Sequence, residues 1–315
     1  MEMKGIVSTV VSALLFGLTP ILASLTYDMG STPETVTFYR NLLAIPVLLA
    51  VMLLKNMKLR ISWNVFGSIA LVGVIGCGAT TLMLYISYQY VGVGTATTLH
   101  FLYPVFVALI CRLFYKEHLG TQKIIALIVA GAGILCFMEL KQVTHGIGIL
   151  LAIASGLTYS LYMVGIEKRG LKDISPYKIS LYIAIVVSAA LLLYNIPMKK
   201  IVFVLPPKAF LYIFVIAICT SFLAVALLQL GIKYLNATTA AIFCLLEPIT
   251  SMITSAVVLG EAIMPQKIIG CLLIILAVII LVVKKPTEHI LSDETEDCTK
   301  NRLEFAISEK KHTKI

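Results

Sequence analysis

The residues of this sequence best placed for chemistry are the few that carry charge inside long apolar runs. Glu247 is the deepest of them, about ten residues into the run 237–259 and so near mid-membrane at ~1.5 Å per residue. An ionisable group inside a bilayer costs about 2.5–3.5 kcal/mol to insert, so it needs a partner, a water-filled cavity or an escape to the interface. Two readings of Glu247 stay open: a cavity carboxylate that takes a cationic group or a coupling proton, and a buried carboxyl hydrogen-bonded between helices. Arg40, flanked by Tyr39 and Asn41, offers a planar fork of donors to a substrate carboxylate, and snorkelling to the membrane surface competes with that role. Arg112, beside Lys116, illustrates snorkelling. His100 titrates in the physiological range unless it is a satisfied core histidine. Tyr103, an aromatic wall or a packing residue, completes the substrate-binding or coupling candidates. No Cys/His cluster has metal-ligand spacing, and no metal or cofactor is expected.

These groups must be positioned by the apolar segments themselves. Residues of the AVILMFWYC class make up 59% of the 315 and charged residues only 13%, about half the charged share of an average soluble domain. A crossing helix needs roughly 20 apolar residues. Segments at 5–26, 36–54, 66–91, 95–115, 123–138, 147–166, 179–196, 210–231, 237–259 and 268–283 reach or approach that length. The expected fold is therefore all-α and integral to the membrane, with ten transmembrane helices, the fifth and tenth being the shortest. Lys and Arg number thirteen in the loops on the N-terminal side and five in those opposite. That bias places both termini in the cytoplasm, and the membrane is expected to be a bacterial cytoplasmic one. It also accounts for the net charge of +9 without a nucleic-acid partner; the partners implied are the lipid bilayer and a small-molecule substrate. The first segment exceeds the apolar core of a signal peptide. Residues 285–315 form a polar tail.

Sliding the chain against itself by 144 residues aligns Tyr90 with Tyr234, Thr95 with Thr239, Pro104 with Pro248 and Glu117 with Glu261. The run Gln122-Lys123-Ile124-Ile125 falls on Gln266-Lys267-Ile268-Ile269, and Tyr103 falls on Glu247. Gly17-Leu18-Thr19 recurs as Gly156-Leu157-Thr158 at an offset of 139. Two repeats follow, 1–140 and 145–284. Five helices is an odd number, so the repeats must be inverted, a recurrent plan of secondary transporters. Pro104 and Pro248 are expected to kink their helices at equal depth. Gly17, Pro20 and Gly156 permit close packing or act as hinges. Glu117 and Glu261 precede helix N-termini, where the dipole favours a carboxylate, and should fix the hairpin geometry.

Tyr39-Arg40-Asn41, the stretch from Tyr103-Pro104 to Lys116-Glu117, and Leu246-Glu247-Pro248 leading to Leu259-Gly260-Glu261 resemble the drug/metabolite transporter superfamily in its EamA-type branch, over nearly all of residues 1–284. The resemblance implies ten helices and a central cavity lined mostly by helices 1–4 and 6–9, with the fifth and tenth outside it. It also implies export or exchange of amino acids, metabolites or drugs. The small four-helix relatives couple to protons through a Glu in their first helix; the first segment here has none, so that mechanism does not transfer.

The expected function is a secondary transporter exporting a small amino-acid-like or other polar metabolite or drug, coupled to a proton or to an exchanged solute. No Walker A motif is present, which argues against ATP hydrolysis by this chain. A membrane-embedded enzyme would need clustered Asp, His or Lys at the interface, which the sequence lacks. A sensor or scaffold would use the tail as its output, so deleting 287–315 distinguishes it from a transporter, which keeps its flux.

Overall fold

The computed structural model describes residues 2–137, 146–260 and 263–283; Glu261 and the polar tail lie outside the described residues. Met1–Ile280 form one compact unit and Leu281–Ile315 a second, of which only 281–283 are described. Among the described residues every regular element is helical. Helix α1 spans Glu2–Tyr27 and α2 Pro33–Leu54. Helical hydrogen bonding then runs through Trp63–His100, but Gly92 (φ 73°, ψ 162°) turns the chain inside it. Residues 63–91 are therefore α3, and 93–114 are α4. The remaining helices are α5 Thr121–Leu135, α6 Gly146–Lys168, α7 Pro176–Met198, α8 Pro207–Leu235, α9 Ala237–Leu259 and α10 Pro265–Val282. The turn at Gly92 falls between the segments 66–91 and 95–115 expected from the sequence, so ten helical segments stand among the described residues.

Local chemistry sets the helix starts. Pro33, Pro176, Pro207 and Pro265 open their helices, where a missing N–H goes unnoticed and the fixed φ already suits a helix. The Thr32 hydroxyl accepts from Thr35 N at 3.1 Å, and Asn236 Oδ1 accepts from Thr239 N at 2.9 Å, each satisfying one orphan donor.

The interruptions recur in both repeats. Asn236 (φ 77°, ψ 165°) turns α8 into α9 with nearly the backbone of its counterpart Gly92. A π-helical stretch lies in α3 at Val72–Gly78 and in α8 at Ala217–Ala224. Helix α4 breaks at Phe101-Leu102, and α9 tightens into a 3-10 turn at Cys244–Leu246. Pro104 and Pro248 are the second residues of the restarted helices, so each break falls just ahead of its proline, where the ring would crowd the preceding turn. Helix α1 breaks at Gly17-Leu18, while Gly156 lies within an unbroken α6.

Glycines allow close approach where these breaks meet other helices. A Cβ on Gly17 would lie 2.5 Å from Thr250 Cβ and 2.8 Å from the Glu247 carbonyl; one on Gly156 would lie 2.8 Å from the His100 carbonyl. Each repeat's first helix thus sits against the broken helix of the other repeat. Helices α5 and α10 meet at Gly133 and Gly270, where an added Cβ on either would come within 2.9 Å of the other's carbonyl oxygen.

Candidate functional site

A cavity of about 70 Å³ lies between the repeats. Phe16, Thr19 and Pro20 of α1, Arg40 of α2, a face of α3, and His100 of α4 line it from one repeat. Tyr159 and Tyr162 of α6, Val225 of α8 and Glu247 of α9 line it from the other, and no residue of α5 or α10 takes part. Arg40, Glu247 and His100, far apart in the sequence, are brought together here.

Arg40 is 6% exposed. Its Nε donates to Ser221 Oγ at 2.9 Å and its Nη1 to the Tyr85 hydroxyl at 2.8 Å. The guanidinium therefore does not snorkel to the surface; it is held inside by a hydroxyl from the π-helical part of α8 and another from α3. A guanidinium has five N–H donors, and these two bonds orient the fork while leaving donors for a ligand. Glu247 is half-buried at the start of the restarted helix, and it takes part in none of the four ion pairs among the described residues. One guanidinium and one carboxyl group thus face a single small cavity.

His100 Nδ1 lies 2.9 Å from Ser155 Oγ, whose own proton goes to the Ala152 carbonyl at 2.6 Å. Nδ1 is therefore the donor, and Nε2 of the neutral ring is left as an acceptor. Tyr103 stands one layer behind the cavity, its ring centroid 5.4 Å from that of His100 and 4.8 Å from that of Tyr159. Its hydroxyl neighbours the Cys244 thiol without forming a hydrogen bond of good geometry. The break in α4 and the 3-10 turn in α9 thus come side by side.

Sequence reasoning missed the aromatic walls. Tyr85 and Tyr88 on α3, with centroids 5.6 Å apart, and Tyr159 and Tyr162 on α6, stacked at 5.8 Å and 10°, line the cavity. The signal was there, since each pair is spaced i, i+3 and so shares a helix face. The buried Tyr88 hydroxyl and Thr19 Oγ1 have no hydrogen-bond partner, an arrangement that favours a polar ligand over an apolar one.

On the N-terminal side of the membrane the two repeats are tied together. Lys168 Nζ pairs with Glu117 and, at 2.9 Å, with Glu167. Glu167 Oε2 in turn accepts from Ala237 N at 2.6 Å. Glu117 thus joins the end of α4 to the end of α6, and through Glu167 to the start of α9. Arg112 turns to its own loop, its Nη1 lying 3.4 Å from the Glu117 carbonyl and 3.3 Å from His118 Nδ1. On the opposite side a second cavity, about 240 Å³, separates α1 at Ser24 and α4 at Thr97 from α9 at Ser251. Among the described residues no group of three or more His, Cys, Asp and Glu side chains is placed to hold a metal ion.

The model of the EamA-like transporter family matches residues 3–138 and again 146–283. This chain belongs to that family. Its two matches are the two repeats, and the duplicated breaks of this chain fall at corresponding places in them. An uncharacterized transporter of Clostridium kluyveri is 26% identical over 88% of this chain and 92% of its own length. The uncharacterized transporter YcbK of Bacillus subtilis is 24% identical over 85% of this chain and 89% of its own. A crystal structure of a protein 17% identical in sequence superposes with a TM-score of 0.76, covering 89% of this chain and 97% of that one. It shares the fold.

Proposed function

We propose that this EamA-like transporter exports a small polar solute, amino-acid-like in carrying an anionic and a cationic group, by alternating access between two inverted repeats. The observation that carries this reading is the placement of Arg40 and Glu247 on one cavity lined by both repeats. Arg40 receives the solute's carboxylate on the N–H groups that Ser221 and Tyr85 leave free. Glu247 receives its ammonium, or a coupling proton when no solute is bound. The tyrosine rings flank the solute's carbon skeleton, and their negative faces favour its cationic end. With the termini in the cytoplasm, as the basic residues favour, the larger cavity faces outward and the Glu117–Lys168–Glu167 cluster closes the cytoplasmic side.

Comparing the metabolites inside and outside cells with and without the protein tests the reading. A zwitterionic solute should accumulate outside expressing cells, and Glu247→Gln should lower that efflux by about tenfold or more while leaving the amount of protein unchanged. If no solute shifts, export is wrong; if Glu247→Gln keeps full pH-dependent flux, Glu247 takes no part in coupling.

A further inference from the structure

Helices α3, α4 and α6 present a third concavity, which shares no lining residue with the central cavity. It is an apolar groove of about 350 Å³, walled by Ile75, Ile110, Phe114 and Leu161, and floored where Gly76 and Gly165 let α3 and α6 pack closely. Ile75, Phe114 and Leu161 are exposed, so the groove opens toward the surroundings of the helices. In a membrane protein those surroundings are lipid. Its mouth is polar, with Tyr115 and Arg169 on its lining, each one residue past the end of its helix. That is the level where aromatic and basic side chains meet headgroups. Lys168 beside it is paired with Glu117 and Glu167, whereas the Arg169 side chain enters no ion pair among the described residues.

We propose that this groove holds an acyl chain of an anionic phospholipid whose phosphate is bound by Arg169. The apolar walls take the hydrocarbon, and the planar guanidinium meets two phosphate oxygens at once. A net negative headgroup is preferred because the choline of a zwitterionic lipid would bring a second positive charge to the same mouth. The placement also joins the lipid to the cavity. The π-helical segment Val72–Gly78 turns Ile75 and Gly76 toward the groove and Cys77 toward the central cavity, so an acyl chain and a solute would lie on opposite sides of one short stretch of backbone.

Native mass spectrometry of the full-length purified protein, titrated with phosphatidylglycerol or phosphatidylcholine of matched chains, tests the assignment. The wild type should retain one phosphatidylglycerol at least fivefold more than phosphatidylcholine. Arg169→Gln, a change on the exposed surface, should bring the two to the same level. Ile110→Trp, which fills the groove, should remove retention of both. Equal retention of the two lipids by the wild type would overturn the proposal. So would undiminished preference in Arg169→Gln, or a lipid-free dimer showing that a second copy covers the groove. Should Ile110→Trp fail to fold, the Arg169→Gln comparison decides the matter alone.

Discussion

The second halves of α4 and α9 are counterparts in the two repeats, yet they live in different surroundings. Along Tyr103–Phe114, residues Tyr103, Pro104, Val107, Ala108 and Cys111 are buried, whereas along Glu247–Leu259 only Pro248 is. Both stretches follow an interruption of the helix, both carry proline as second residue, and both face the other repeat. What differs is the neighbour. The α4 stretch is covered by α6 and by the first half of α9, whose ends the Glu117–Lys168–Glu167 cluster ties together, while the α9 stretch borders the 240 Å³ cavity. One side is shut and the other open, which is the difference that the alternating access proposed above would exchange between the two repeats.

The largest effect that would break this comparison is chemical access to its two sides. Val107 and Ser251 are counterparts. In detergent-solubilised protein without native cysteines, a small polar thiol reagent, which reaches both sides, should label Ser251→Cys about 100-fold faster than Val107→Cys, and equal rates would remove the asymmetry. Lys168→Met should raise labelling of Val107→Cys about tenfold by releasing Glu117 and Glu167. An unchanged rate would mean that apolar packing alone keeps this side shut. Gly156→Val, which drives a Cβ against the His100 carbonyl, should lower unfolding stability in detergent by about 1–3 kcal/mol, as overpacking does, and Gly17→Val should do the same beside Glu247. The smallest effect is at the matched turns. Their backbone near φ 75°, ψ 165° belongs almost solely to glycine and strains other residues by about 1–3 kcal/mol. Asn236→Gly should therefore stabilise the protein by about 1 kcal/mol, since losing a cap to glycine costs only a few tenths, and Gly92→Ala should destabilise it. A neutral Asn236→Gly would show that the strain is relieved locally.

Much of the fold was legible because hydropathy and repetition are local or linear signals. The matched prolines marked both helix breaks, and Glu247 stood out as a carboxylate in an apolar run. The π-helical stretches were invisible, since Val72–Gly78 and Ala217–Ala224 are as apolar as their flanks and a widened turn leaves no mark in composition. The setting of Arg40 could not be read either. Depth in a segment does not say which way a side chain faces, and its partners Tyr85 and Ser221 lie 45 and 181 residues away. Lys168 escaped notice because it looked like any basic residue at a helix end, and its role appears only when Glu117, 51 residues earlier, is folded beside it.

The central cavity is narrow, at about 70 Å³, against about 240 Å³ for the cavity beside Ser251. A solute that binds there as proposed would push its walls apart to enter, so its measured affinity would contain the work of separating Tyr85 and Tyr88 on one helix from Tyr159 and Tyr162 on another. On the proposed reading, discrimination by size would rest on how stiff the cage is as much as on how well Arg40 and Glu247 hold the solute's ends. Softening a wall, as Tyr159→Leu would, should broaden the range of cargo before it weakens the hold on any one of them.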